Sequence, residues 1–179
     1  MKLRLSIALV FLAALTRLLP HPDNFTPIGA MALFGAAYFN RHTLTLIVPF
    51  IALFISDLIL NNVIYSQYYD GFTLITSWWI YAAFGAIMLM GWLLLRKQVT
   101  TARVVAASLF ASIVFFLISN FSTWAETTLY PKTMAGLMTC YTAGLPFLKN
   151  TVFGDLFFSG VMFGIYEWVT RKQLQSQKV

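Results

Sequence analysis

The chain has 179 residues, a formal charge of +6, 59% hydrophobic residues and only 10% charged ones. A soluble domain carries roughly a quarter charged residues and needs them to cover its surface. Their scarcity excludes a soluble enzyme, a disordered chain and a nucleic-acid-binding module. What remains is an all-α integral membrane protein, expected as one domain over residues 1–179.

A membrane-spanning helix needs about 20 mostly apolar residues. Residues 3–19 form the first such run. Lys2 and Arg4 precede it, as in a cleaved signal peptide. However, Arg17 lies inside the run and Leu18, Leu19, Pro20 and His21 come next, which leaves no small-x-small cleavage site and favours a retained span. Residues 20–27 (PHPDNFTP) contain three prolines and read as a shaped outer loop. Thr26 is expected to cap the second helix, with Pro27 in its first position. That helix, residues 27–40, is short: its fourteen residues rise about 21 Å against a bilayer core of about 30 Å. Either the membrane is locally thin, or the helix begins below the outer surface and the loop dips inward. Irregular backbone is tolerated at that depth only where protein buries it or it lines a wet cavity.

Residues 44–60 form the third span, with a kink expected at Pro49, and residues 75–95 the fourth. Residues 104–120 and 151–170 complete a bundle of six. Within the long loop 121–149, the stretch TMAGLMTCYTAGL (133–145) is apolar but short. It reads either as an interfacial or re-entrant lid or as a surface loop resting on lipid.

Six spans place Lys2, Arg4, Arg41, Arg96, Lys97, Arg103, Arg171, Lys172 and Lys178 on one side, nine of the twelve basic residues. The positive-inside rule makes that side cytoplasmic and puts both termini there. Asp23, Asp57, Asp70, Glu126 and Asp155 fall in the outer half, and Glu167 near the inner end. The small-xxx-small pairs Ala32–Ala36, Ala82–Ala86, Ser108–Ser112 and Gly160–Gly164 suit close helix packing in lipid.

The outer third gathers most of the polar side chains. Arg17, Asp57 and Asp155 sit near span ends, Asn61, Asn120 and Asn150 lie at the same level, and His21, Asn24, Trp124 and Glu126 adjoin them. Ionisable groups inside a membrane are costly and mark functional sites unless they pair with each other. The layer therefore reads as an outward-facing pocket lined by Arg17, His21, Asn24, Asp57, Asn61, Asn120, Trp124, Tyr141, Asn150 and Asp155. For Arg17 alone, a salt bridge to Asp57 or Asp155 is the favoured account. The helix start after Pro27 offers free N–H groups for a carboxylate or phosphate. Outer aromatics such as Tyr65, Trp78 and Tyr130 fit an interfacial belt, with a few available to stack on a flat ligand.

Chemistry beyond binding finds little support. There is no nucleophile elbow, no His-Glu-x-x-His and no phosphate loop. Cys140 is the single cysteine, and it and His21 are at most isolated metal ligands; no resident cofactor is expected. His21 and His42 fall on opposite sides of the membrane. Asp57 and Asp155 are the one candidate carboxylate pair for an intramembrane enzyme.

The stretches RLLPHPDNFTPIGAMALFGAAYF (17–39), SDLIL (56–60) and CYTAGLPFLKNTVFGDLFF (140–158) resemble a family of small six-span bacterial membrane proteins described as transport proteins. In size, span count and outward polar layer the chain is also similar to the substrate-binding S components of energy-coupling-factor vitamin transporters. Those subunits dock through an Ala-xxx-Ala pattern on span 1; here the nearest match is Ala32–Ala36 on the second helix. The resemblance implies a solute-uptake protein of the bacterial inner membrane, binding a small organic solute of the vitamin or precursor class. Its partners would be the lipid bilayer and a coupling membrane subunit with ATPases, although a solitary facilitator fits equally; nucleic acid is not among them. A corrinoid is one ligand that the aromatic outer face and Cys140 permit. The alternatives are a structural or assembly protein whose outer layer binds a partner, and the enzyme using Asp57 and Asp155.

Overall fold

A computed structural model describes residues 2–39 and 42–176, with the backbone alone at His42. Asn40, Arg41 and Lys178, which enter the count of spans and charges, lie outside the described residues. The architecture is all-helical, with no strand among the described residues. Among the described residues six α-helices run in order: α1 (Lys2–Thr16), α2 (Ile28–Tyr38), α3 (His42–Ile59), α4 (Trp78–Leu95), α5 (Thr101–Glu126) and α6 (Met134–Ser176). A π-helical turn, Leu60–Ile64, extends α3.

Four of the six helical segments, rather than all six, are long and apolar enough to cross a membrane: Thr43–Ile64, α4, α5 and α6. The expected first span ends early. α1 has 15 residues, and Arg17, Leu18 and Leu19 leave the helix in a turn. α2 has only 11 residues, and every residue from Ile28 to Ala36 is buried. It therefore stands in the middle of the bundle, where its length need not match the bilayer. Its neighbours press close. A side chain at Gly35 would clash with Pro49 of α3, and one at Gly91 of α4 would crowd Leu33 and Ala36. Ala32 and Ala36 thus pack as small residues do in lipid.

The largest departure concerns residues 133–145. They form neither a separate lid nor a loop but the first turns of α6, which runs unbroken for 43 residues. Thr133 starts it, accepting from the Gly136 N–H at 3.1 Å. Pro146 lies inside this helix and suggests a break in sequence. The helix continues because its first arm is tied to α5: Cys140 Sγ donates to Asn120 O (3.3 Å) and the Tyr141 hydroxyl to Leu117 O (2.9 Å).

The outward faces invert the pattern of a soluble protein. Ile47, Ile51 and Ile55 on α3, Leu109, Ile113 and Leu117 on α5, and Phe153, Phe157 and Ile165 on α6 are all exposed. A soluble monomer does not carry apolar surface on this scale. Inside, Phe34 meets Phe163 and Tyr166 edge-on at 5.3 and 5.5 Å. Successive helices run antiparallel, as their contacts show: Tyr81 near the start of α4 meets Asp57 near the end of α3, Ser77 before α4 meets Ser122 late in α5, and Ser108 early in α5 meets Ser159 of α6. Consequently Lys2, Arg4, Arg96, Lys97, Arg103, Arg171 and Lys172 emerge at one end, with Glu167 bonded by Tyr38 at 2.8 Å. Gly160 and Gly164 behave differently from the alanine pair. A side chain at either would meet open space, so they seat no neighbouring helix among the described residues.

Candidate functional site

The site lies at the end of the bundle opposite the basic cluster, and its polar groups fall into three sets. The first is built on α1 and α3. As α1 ends, Arg17 turns inward and its guanidinium pairs with Asp57 at 2.7 Å. The same group donates to Ser56 Oγ and, at 3.4 Å, to Leu53 O. From α4, the Tyr81 hydroxyl donates to the other Asp57 oxygen at 2.8 Å. Arg17 and Asp57 are 8% and 6% exposed, so this is a buried, neutralised pair. One donor remains over: Arg17 Nε is buried and has no partner among the described residues.

The second set fixes the loop and the start of α2. Phe25 N–H donates to Pro22 O (3.0 Å), closing a turn in which Asn24 takes φ 60°. That left-handed conformation is one asparagine tolerates. Phe25 wedges between Phe157 and Phe158, with ring centroids 5.8 and 5.5 Å away, and Asn150 Nδ2 donates to Asp23 O at 2.9 Å. The loop backbone at Phe25 and Thr26 lies directly on Gly154, whose missing side chain makes room for it. The expected Thr26 cap is not formed. Pro27 occupies the cap position, and no side chain of that segment caps the helix. The cap comes from α6 instead. Asp155, 2% exposed, accepts the backbone N–H groups of Gly29 and Ala30 and the Ser112 hydroxyl, the last at 2.7 Å. A Cβ at position 29 would overlap its carboxylate. The free N–H groups that sequence reading offers to an external anion are thus occupied by the chain's own carboxylate.

The third feature is a cavity of about 600 Å³ between the loop, α5 and the first arm of α6. Arg17, His21, Asp23, Asn24 and Thr26 line one wall, Phe115, Ser119, Asn120 and Thr123 another, and Cys140, Ala143, Gly144 and Phe147 a third. Its origin is legible in helix register. Fifteen residues of α6 separate Cys140 from Asp155, whereas their partners on α5, Asn120 and Ser112, are eight apart. Pro146, which lacks a backbone donor, lies in the longer stretch of α6 between those two contacts. Gly144 permits the close approach beside it, since a Cβ would run into Asn120 Oδ1.

Of the ten residues read from sequence as a pocket, Arg17, His21, Asn24 and Asn120 line this cavity. The other six are engaged elsewhere. Asp57 pairs with Arg17, and Asp155 caps α2. Asn61 accepts from Thr76 Oγ1 (2.8 Å), Trp124 donates to Pro131 O (2.9 Å), Tyr141 is tied to α5, and Asn150 pins the loop. Asp57 and Asp155 share no partner, so each has its own structural account. Cys140 and His21 stand on different walls, and among the described residues no group of three or more His, Cys, Asp or Glu could hold a metal. Ser119 and Thr123 also line the cavity, although sequence reading does not place them in the pocket, and so do Tyr65 and Tyr130, which it offers only as outer aromatics.

A family model described as a family of unknown function, DUF6580, matches residues 1–177. No curated protein and no solved structure matches the chain.

Proposed function

We propose that this chain, which belongs to the DUF6580 family of unknown function, is a solute-uptake protein of the bacterial inner membrane that takes a small organic solute into the cavity beneath the 20–27 loop. The observation that carries this reading is the cavity itself. At about 600 Å³ it has the size of a small-molecule site, and polar groups converge on it from a rigid loop and two helices. In the same reading α1 crosses the membrane, α2 returns through the centre of the bundle, and the basic end faces the cytoplasm with both termini. A coupling subunit with ATPases, or passive facilitation, would then move the solute. The internal bonding of Asp57, Asn61, Trp124, Tyr141, Asn150 and Asp155 favours a structural role for those six.

Two measurements test it. Ala143 is exposed and lines the cavity, so Ala143→Trp fills the space without touching the core. Gently purified wild type is expected to retain a solute in native mass spectrometry. Ala143→Trp should lose it by at least about tenfold, more than 1.4 kcal/mol, at an unchanged melting temperature. Equal retention by the variant would remove the cavity as the site. For topology, single cysteines at Gln98 and Gln67 in a Cys140→Ser background should label from opposite sides. Labelling of both from outside would sink the six-crossing path.

A further inference from the structure

A groove of about 720 Å³ runs between α5 and α6 toward the basic end of the bundle, and it shares no lining residue with the cavity beneath the 20–27 loop. Most of its length is apolar. Val104, Leu156 and Phe163 line it, and the two serines among its lining residues, Ser108 and Ser159, bond each other at 2.9 Å. Gly160 and Gly164 are exposed along it, and a side chain at either would meet open space. Glycine inside a helix costs stability relative to alanine, yet among the described residues no segment occupies the room these two leave. Val105 and Trp168, which are exposed, also line the groove, so it opens onto the apolar surface of two helices long enough to cross a membrane.

Charge gathers at one end of the groove. Arg171 lines it there with its side chain 77% exposed, and Thr100 and Thr101 face the same end from the start of α5. Thr100 Oγ1 accepts the Arg103 N–H at 3.3 Å, which sets Arg103 beside that end, and Lys172 lies over the Trp168 ring at 4.2 Å. Glu167 is the single carboxylate there among the described residues; it accepts from Tyr38 and lies 3.6 Å from Arg171. The lengths match one leaflet. Leu156 to Arg171 spans about 22 Å of helix, whereas one leaflet contributes roughly 15 Å of hydrocarbon, half of a core of about 30 Å. The apolar stretch thus lies at acyl-chain depth when Arg171 and Trp168 stand at the interface. A second copy in the same membrane orientation would instead set its own basic end against this one, like charge against like.

We infer that this groove is a binding site for one anionic phospholipid of the leaflet at the basic end, with an acyl chain along Gly160 and Gly164 and the headgroup phosphate on Arg171. Cations at a membrane surface attract anionic lipids, and basic pockets between spanning helices hold their headgroups. The Arg171 fork suits phosphate oxygens, and Arg103 and Lys172 add to the attraction.

The experiment titrates full-length protein in detergent with dioleoyl phosphatidylglycerol or dioleoyl phosphatidylcholine and counts bound lipid by native mass spectrometry. Wild type is compared with Arg171→Gln, Gly164→Leu and Arg96→Gln. The last removes the same charge from the same end but outside the groove, where Arg96 lies over Trp92. Wild type should bind its first phosphatidylglycerol about fivefold or more tighter than phosphatidylcholine. Arg171→Gln should lose about fivefold for phosphatidylglycerol and leave phosphatidylcholine unchanged, while Arg96→Gln keeps the preference. Gly164→Leu fills the groove and should weaken the first binding of both lipids by about tenfold. Its lipid-free melting temperature should be unchanged or higher, because leucine favours helix and meets open space. Equal binding of the two lipids by wild type overturns the inference. So does an equal loss in Arg96→Gln and Arg171→Gln, which would reduce the effect to net charge, and so does undiminished binding by Gly164→Leu. A wild-type dimer that Gly164→Leu dissolves also overturns it, since a second copy would then fill the groove. Should one variant fail to fold, the other still decides.

Discussion

Asp155→Leu is expected to destabilise the protein by about 3–5 kcal/mol, among the largest effects of any single substitution outside the apolar core. The carboxylate is the acceptor for Gly29 N–H, Ala30 N–H and the Ser112 hydroxyl. Leucine leaves those donors unpaired at the start of a helix whose first nine residues are all buried. Neither water nor lipid reaches them there. Asp155→Asn keeps one carbonyl oxygen and should cost about 1–2 kcal/mol. The decisive measurement is a double-mutant cycle with Gly29→Ala. In the wild-type background the new Cβ overlaps Asp155 Oδ1 and should expel the carboxylate, at a cost comparable to losing the cap. In an Asp155→Ala background the obstacle is gone, and Gly29→Ala should add almost nothing. Denaturant unfolding in detergent reads both, and additive costs would show that the two residues do not act as one unit.

Asp57→Ala is expected to be nearly as damaging, at about 3–5 kcal/mol, because it strands the Arg17 guanidinium in a buried site and leaves the Tyr81 hydroxyl without its acceptor. A buried pair costs desolvation that its attraction only partly offsets, so removing both charges is milder than removing one. The double variant Arg17→Leu, Asp57→Leu should therefore be more stable than Asp57→Ala alone, within about 1–2 kcal/mol of wild type, while losing any solute that depends on Arg17. The same unfolding assay, paired with native mass spectrometry, separates the two consequences. A double variant as unstable as the single one would mean that the pair contributes strongly in its own right.

Both predictions rest on residues visible in sequence as members of one polar layer, and the layer is where these charges lie. Sequence reading offers Arg17 either Asp57 or Asp155 and cannot choose. The choice depends on α1 ending at Thr16, which lets Arg17 turn toward α3, while Asp155 is drawn to α2. A signal for the cap is nonetheless present in the chain. Gly154 gives the loop backbone a place to lie on α6, and the adjacent Asp155 carboxylate meets the helix that begins there. Thr26 and Pro27 suggest a local cap because local rules see only neighbours in the chain. The 133–145 stretch departs from its sequence reading for a related reason. Pro146 breaks an isolated helix, but side chains on Cys140 and Tyr141 anchor the first arm to α5 carbonyls, and that packing outweighs one missing backbone bond.

Composition alone establishes that the chain is built for an apolar surrounding, because 10% charged residues cannot cover a soluble surface. Hydropathy reads six spans, of which four overlap the long apolar helices and none includes the first arm of α6, and counting residues shows that α2 is short. The central position of α2, the carboxylate that closes its end and the cavity between the 20–27 loop, α5 and α6 are settled by packing. Those features arise from contacts between segments far apart in the chain, such as Gly29 with Asp155 and Asn120 with Cys140. Periodicity and capping rules act within a few turns of one helix and carry no record of such partners.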